Sequence, residues 1–176
     1  MNRVLITGGC GFIGSYLSEE LIRQKKKVTV IDDLSTGSLK NVYELLNNFD
    51  FSLFIDTILN QHILEEIIKK VDFVFHLAAV VGVKKVMENP IESIIVNIEG
   101  TYNVLKLCAK YKKRVLITST SEIYGKNVNV PFSENADIVI GSTKKKRWSY
   151  ACAKAIDEFL AFSFYEEYGL PVIIVR

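Results

Sequence analysis

Short runs of β-branched and aliphatic residues alternate along the chain with longer stretches whose apolar positions recur at helical spacing. Arg3–Thr7 reads as a buried strand, followed by an amphipathic helix over 12–24 with Leu17, Leu21 and Ile22 on its inner face. A second strand is predicted over 27–31, and the polar segment 33–38 leads into a short helix near 41–46. Phe51–Ile55 is a third strand, 61–69 a helix carrying Ile63, Leu64, Ile67 and Ile68, and 73–77 a fourth strand. Asn89-Pro90 opens a long helix to about Tyr111, since proline suits a first turn. Arg114–Thr118 is a fifth strand, and the polar loop 125–147 after it is long enough to suggest a functional role. A helix over 149–168 is closed by Gly169 and Pro171, and Val172–Val175 is a sixth strand.

Strand and helix alternating six times, with strands nearly all apolar, predict an α/β fold with a parallel sheet covered on both faces. Right-handed crossovers favour a doubly wound, Rossmann-type sheet of order 3-2-1-4-5-6, with ligands outside the carboxyl ends of the strands. The 176 residues make one domain, 1–176, with neither internal repeats nor a linker-like stretch.

Composition narrows the class. The chain is 49% hydrophobic and 24% charged, which excludes a disordered tail or a coiled coil. A net charge of +2 argues against a dedicated nucleic-acid binder. Lys25-Lys26-Lys27 and Lys112-Lys113-Arg114 read as solvated loop edges, and one short run, Lys144-Lys145-Lys146-Arg147, on a near-neutral chain is weak ground for a nuclear-import or polyanion patch. The first residues run straight into a strand, leaving no room for a signal peptide, and the apolar stretch 73–83 is too short to span a bilayer. Cys10, Cys108 and Cys152 have no CxxC or metal-ligand spacing, so no metal is expected and the thiols read as reduced, in a cytoplasmic protein.

Gly8, Gly9, Gly11 and Gly14 lie between the first strand and the first helix, satisfying both G-x-G-x-x-G and G-x-x-G-x-x-G. Glycine there permits a tight turn and close approach of a pyrophosphate, and the helix N-terminus offers N–H groups to it. Asp32 ends the second strand, 18 residues after Gly14, where a carboxylate accepts from ribose hydroxyls and repels a 2′-phosphate. NAD is therefore favoured over NADP.

Tyr150 and Lys154 form Tyr-x-x-x-Lys on one face of a helix. An ammonium beside a phenol is expected to lower the tyrosine pKa, so that Tyr150 takes a proton from a sugar hydroxyl as hydride leaves. Thr120 and Glu122 follow the fifth strand on the ligand side, one as a hydrogen-bond donor to the reacting oxygen and the other as an acid or base.

These motifs, with Asp32 to Gly37, His76-Leu77-Ala78-Ala79, Asn97, Ser119 to Gly125 and Arg147 to Lys154, resemble the extended short-chain dehydrogenase/reductase family in its nucleotide-sugar epimerase/dehydratase branch. The resemblance implies NAD held by Gly8, Gly11, Phe12, Ile13, Gly14 and Asp32, with Asp56 and Thr57 at the adenine. Leu77, Ala78 and Ala79 would line the nicotinamide half and Asn97 would support the site. Thr120, Tyr150 and Lys154 fall on the catalytic positions, Lys154 also holding the nicotinamide ribose, while His76 falls on a structural one.

Members of this branch oxidise a nucleotide sugar, here expected to be UDP-linked, at C4 to a 4-keto intermediate. An epimerase then returns hydride to the other face, and that is the leading expectation. Ser121 stands where 4,6-dehydratases carry aspartate, whereas Thr120-Ser121-Glu122 also resembles the UDP-glucuronate decarboxylases, so decarboxylation and dehydration are the alternatives. The resemblance further implies a C-terminal substrate lobe that lies outside 1–176. The chain is then the cofactor-binding half of an enzyme, prone to self-association or a homodimer through uncovered apolar surface. The rival from another class is an NAD-binding module without turnover.

Overall fold

The computed structural model describes residues 2–176. Six strands form one parallel sheet: β1 (Arg3–Thr7), β2 (Lys27–Asp32), β3 (Phe51–Ile55), β4 (Phe73–His76), β5 (Arg114–Thr118) and β6 (Val172–Val175), in the order β3-β2-β1-β4-β5-β6. The doubly wound order expected from the sequence is the one observed. Register lines up the strand ends that matter: Thr7 lies opposite both Ile31 and His76, and His76 lies opposite Ile117. The residues just beyond these positions therefore share one edge of the sheet.

Alternation along the strands feeds two cores. Val4, Ile6, Val28 and Val30 pack with Leu21 of α1 (Phe12–Arg23) and with Val42 and Leu45 of a 3₁₀ turn, Leu39–Leu45. Leu5, Ile31, Val74, Val115 and Ile117 pack on the opposite face. There they meet α2 (Gln61–Ile68), α4 (Pro90–Lys110) and α5 (Trp148–Tyr168) through Leu64, Leu105 and Phe164. Proline opens α4, and Gly169 closes α5 in a left-handed conformation, φ 65°.

Three local expectations change. The inner face of α1 is made of Gly14, Ser15, Ser18 and Leu21, with Leu17 and Ile22 only half-buried, because the glycine turn brings the helix too close to the sheet for larger side chains. A short helix α3 (Val83–Glu88), not anticipated from the sequence, precedes α4. At the sheet's margins the cover is incomplete: Phe54 and Ile55 of β3, on opposite faces, and Ile173 and Val175 of β6, on one face, are exposed. Among the described residues, no helix is long and apolar enough to cross a membrane.

Candidate active site

A crevice of about 350 Å³ runs along the carboxyl edge of the sheet, between the glycine turn and Tyr150. Its floor is the turn joining β1 to α1. Gly8 adopts φ +71°, and a Cβ there would stand 2.8 Å from the backbone of Ala78. A Cβ on Gly14 would stand 2.4 Å from the Gly8 carbonyl oxygen. Both positions must be glycine for the helix to start this close to the strand. The N–H groups of Phe12, Ile13 and Gly14 open α1 on the crevice wall and have no intrahelical acceptor. An anion at this end meets both those donors and the positive end of the helix dipole.

Asp32, nearly buried, ties the turn to β2. Its Oδ2 accepts from the Cys10 N–H at 2.8 Å and its Oδ1 from the Leu34 N–H at 2.8 Å. Both oxygens keep a second lone pair, and the residue lines the crevice. Burial and the Asp32 charge push the Cys10 thiol up to about 12, so the cysteine inside the glycine turn stays protonated and unreactive. Asp56 and Thr57 lie farther along the same wall, with Asp56 Oδ2 accepting from the Asn60 amide at 2.8 Å.

The opposite wall descends from β4. His76 is buried and bridges two hydroxyls, its Nδ1 2.8 Å from Thr7 Oγ1 and its Nε2 3.0 Å from Thr101 Oγ1. Burial and the nearby Lys154 charge hold the imidazole down to about 3, so it is a neutral strut. Thr7 Oγ1 also accepts from the Ala78 N–H at 3.1 Å, which sets Leu77, Ala78 and Ala79 along the crevice. Asn97 stands behind this wall rather than on it: its Oδ1 accepts from Val80 N–H at 2.7 Å and its Nδ2 donates to the Val80 carbonyl at 3.2 Å. It shapes the backbone there and does not face the crevice.

Tyr150, in the first turn of α5, closes the crevice beside Thr118 and Ser119. Thr120 caps a second 3₁₀ turn, Ser121–Tyr124, by accepting from the Glu122 N–H at 3.2 Å, and its hydroxyl also reaches Tyr150. Glu122 is exposed on the open side of that turn. The expectation of an acidified phenol is corrected. Burial, then the Glu122 and Asp157 carboxylates, raise the Tyr150 pKa above the usual tyrosine value, only partly opposed by Thr120. Lys154 supplies no counterweight because its ammonium is inside the protein, 2.7 Å from Asp157 Oδ2.

The crevice thus brings together the glycine turn, Phe12, Ile13, Asp32, Asp56, Thr57, Leu77, Ala78, Ala79 and Tyr150. Thr120 and Glu122 adjoin it, and Asn97 and Lys154 lie behind it. Asp33, Ser35 and Thr36, from the polar run after β2 that the sequence marks, also line it. Asp157 carries no signal of its role in the sequence. A Lys and an Asp three apart on a helix read as a surface pair until tertiary structure buries them.

The family model described as GDP-mannose 4,6 dehydratase matches residues 5–176. The UDP-N-acetyl-alpha-D-glucosaminuronate decarboxylase of Bacillus cytotoxicus is 47% identical over 99% of this chain and 53% of its own length. Among solved structures, the UDP-N-acetylglucosamine 4-epimerase of Methanobrevibacter ruminantium, in complex with UDP-N-acetylmuramic acid, superposes with a TM-score of 0.88 at 34% identity. That match covers 99% of this chain and 54% of the epimerase. The UDP-glucuronic acid 4-epimerase of Bacillus cereus, in complex with UDP-glucuronic acid and NAD, gives 0.88 at 27% identity over 99% of this chain and 55% of that one. This chain therefore spans about half the length of these relatives. By family model, relatives and fold alike, it belongs to the GDP-mannose 4,6 dehydratase family, in the nucleotide-sugar epimerase/dehydratase branch of the extended short-chain dehydrogenases/reductases.

Proposed function

We propose that the domain 1–176 is the NAD-binding, sugar-oxidising half of an enzyme that acts on a UDP-linked sugar at C4. One observation carries this reading: Tyr150 lies on the wall of the same crevice as the glycine turn and Asp32. The residues present fit the cofactor. The open N–H groups of Phe12, Ile13 and Gly14 would hold the pyrophosphate and Asp32 the adenosine ribose, Asp56 and Thr57 would flank the adenine, and Leu77, Ala78 and Ala79 would lie along the nicotinamide half. Lys154 would serve the nicotinamide ribose only after its ammonium turns outward from Asp157. When bound, NAD supplies the acceptor for the C4 hydride.

The protein's own part is proton handling and placement. Tyr150 Oη takes the proton of the C4 hydroxyl as the carbonyl forms, and the Thr120 hydroxyl orients the same oxygen. Because burial and Glu122 raise the phenol, this transfer is favoured by alkaline conditions or by a cation brought beside Tyr150. Asn97 keeps the Val80 backbone, and with it the crevice wall, in place.

Return of hydride to the opposite face of the sugar gives epimerisation, the outcome that the epimerase structures support. Loss of CO2 from a 4-keto uronic acid is the second reading, favoured by the 47% identical decarboxylase and by a glutamate two residues after Thr120. Dehydration is the weaker alternative, with Ser121 in place of an acid.

Incubating the chain with NAD and, separately, UDP-glucose and UDP-glucuronate tests the proposal. NADH absorbance reports the shared first step, and CO2 release separates decarboxylation from epimerisation. Tight NAD binding with no NADH from either sugar would favour a binding module without turnover. Self-association is part of this reading, because Ile91, Ile95, Phe159 and Phe162 of α4 and α5 are exposed. A monodisperse monomer in sedimentation would remove it.

A further inference from the structure

The helix that carries Tyr150 to the crevice carries Lys154 inward. The Lys154 side chain is 2% exposed and that of Asp157 is 0% exposed, with Nζ donating to Oδ2 at 2.7 Å. Lys154 is the bulkiest of the fully buried side chains. On a solvated helix such a pair contributes little, but in an interior each ion is held only because the other is there. Thr101 of α4 lies against Asp157, and His76 of β4 bonds the far side of Thr101 at 3.0 Å. A polar seam therefore runs from α5 through α4 and β4 to Thr7 at the end of β1.

We propose that Asp157 is a positioning residue for the chemistry of Tyr150, acting through Lys154: it draws the ammonium into the seam between α4 and α5 and balances its charge there. The proposal rests on the reading above only in naming Tyr150 as the base. It accounts for what Tyr150 experiences. The charges that face the phenol are Glu122, from the 3₁₀ turn after β5, and Asp157, from its own helix, both negative. Those that face Asp157 are Lys154 and Glu158 on α5, with Thr101 of α4 as a neutral neighbour. Glu158 is itself neutralised by Arg176 at 2.7 Å, and His76 beyond Thr101 is uncharged. Glu158 and the neutral His76 also face the ammonium, but Asp157 is the carboxylate hydrogen-bonded to it, and so governs whether its charge is felt in the crevice or hidden from it.

Tyrosine isotopically labelled at Cζ reports ionisation of Tyr150 in the full chain, its resonance assigned by its loss in Tyr150→Phe. Asp157→Asn is expected to lower the Tyr150 midpoint by about half a pH unit or more. It is also expected to raise reductive methylation of Lys154 about tenfold, while the buried Cys108 thiol stays unreactive. An unchanged midpoint, or a Lys154 as protected as in the unaltered chain, overturns the proposal. Where Asp157→Asn does not fold, the unaltered chain decides. Lys154 must then stay unmethylated while the exposed Lys25, Lys112 and Lys144 react, and a Lys154 that reacts alongside them overturns the proposal. NAD binding is measured separately, so its absence removes the reading of the crevice and leaves these two results standing.

Discussion

The carboxylate of Asp32 accepts the backbone N–H of Cys10 at 2.8 Å, so the residue at the end of β2 is a brace for the glycine turn as well as part of the crevice wall. Asp32→Ala removes that acceptor and the one used by Leu34, leaving a buried N–H without a partner. The expected loss of stability is about 1–3 kcal/mol in denaturant unfolding, together with weaker NAD binding and less discrimination against NADP. Unchanged NAD affinity would take Asp32 out of the ribose site.

Tyr150→Phe should abolish NADH formation with a competent sugar and leave NAD binding nearly intact, because the ring still lines the crevice and only the proton acceptor is lost. With the phenol raised by burial and by Glu122, the rate of the oxidation step should climb toward alkaline pH, and Glu122→Gln should shift that climb to lower pH. Equal loss of binding and turnover in Tyr150→Phe would make the residue structural.

His76 predicts an acid sensitivity. Its folded pKa is depressed to about 3 from 6.5, so the unfolded chain binds more protons between those values. Its contribution to stability is therefore present above pH 6.5 and is lost as pH falls toward 3, with a slope of up to about 1.4 kcal/mol per pH unit. His76→Gln should flatten the dependence of the unfolding midpoint on pH across this window. An unaltered slope would show that His76 is not the group responsible.

The buried pair of α5 can be separated from its packing. Asp157→Asn should cost up to about 3–5 kcal/mol, because the Lys154 ammonium loses its buried partner and must leave the interior. Changing Asp157→Leu and Lys154→Met together should cost less, since neither charge remains to be desolvated. Chemical denaturation of the two variants checks the order, and a double variant less stable than Asp157→Asn would contradict it.

Much of this architecture was legible from the sequence because backbone patterns are local. The bounds of β1, β3, β5 and β6 follow from short apolar runs, and proline and glycine mark the start of α4 and the end of α5. The glycine turn and Asp32 could be placed together because strand, turn and helix fix their separation. Side-chain destinations are not local. Nothing in Tyr-x-x-x-Lys says that Lys154 points inward, since that depends on Asp157 one turn later and on Thr101 from another helix. The same holds for Asn97, whose two bonds to Val80 arise only when α4 packs behind β4.

The account's central claim is that an adenine dinucleotide occupies the crevice between the glycine turn and Tyr150. Its most direct test is to denature the purified chain, quantify released NAD, and titrate NAD into any preparation that releases none. The account predicts either a stoichiometric release or saturable uptake that Gly14→Ala abolishes, because a Cβ there would stand 2.4 Å from the Gly8 carbonyl oxygen and force the turn open. No release and no uptake, or uptake that Gly14→Ala leaves untouched, would contradict it.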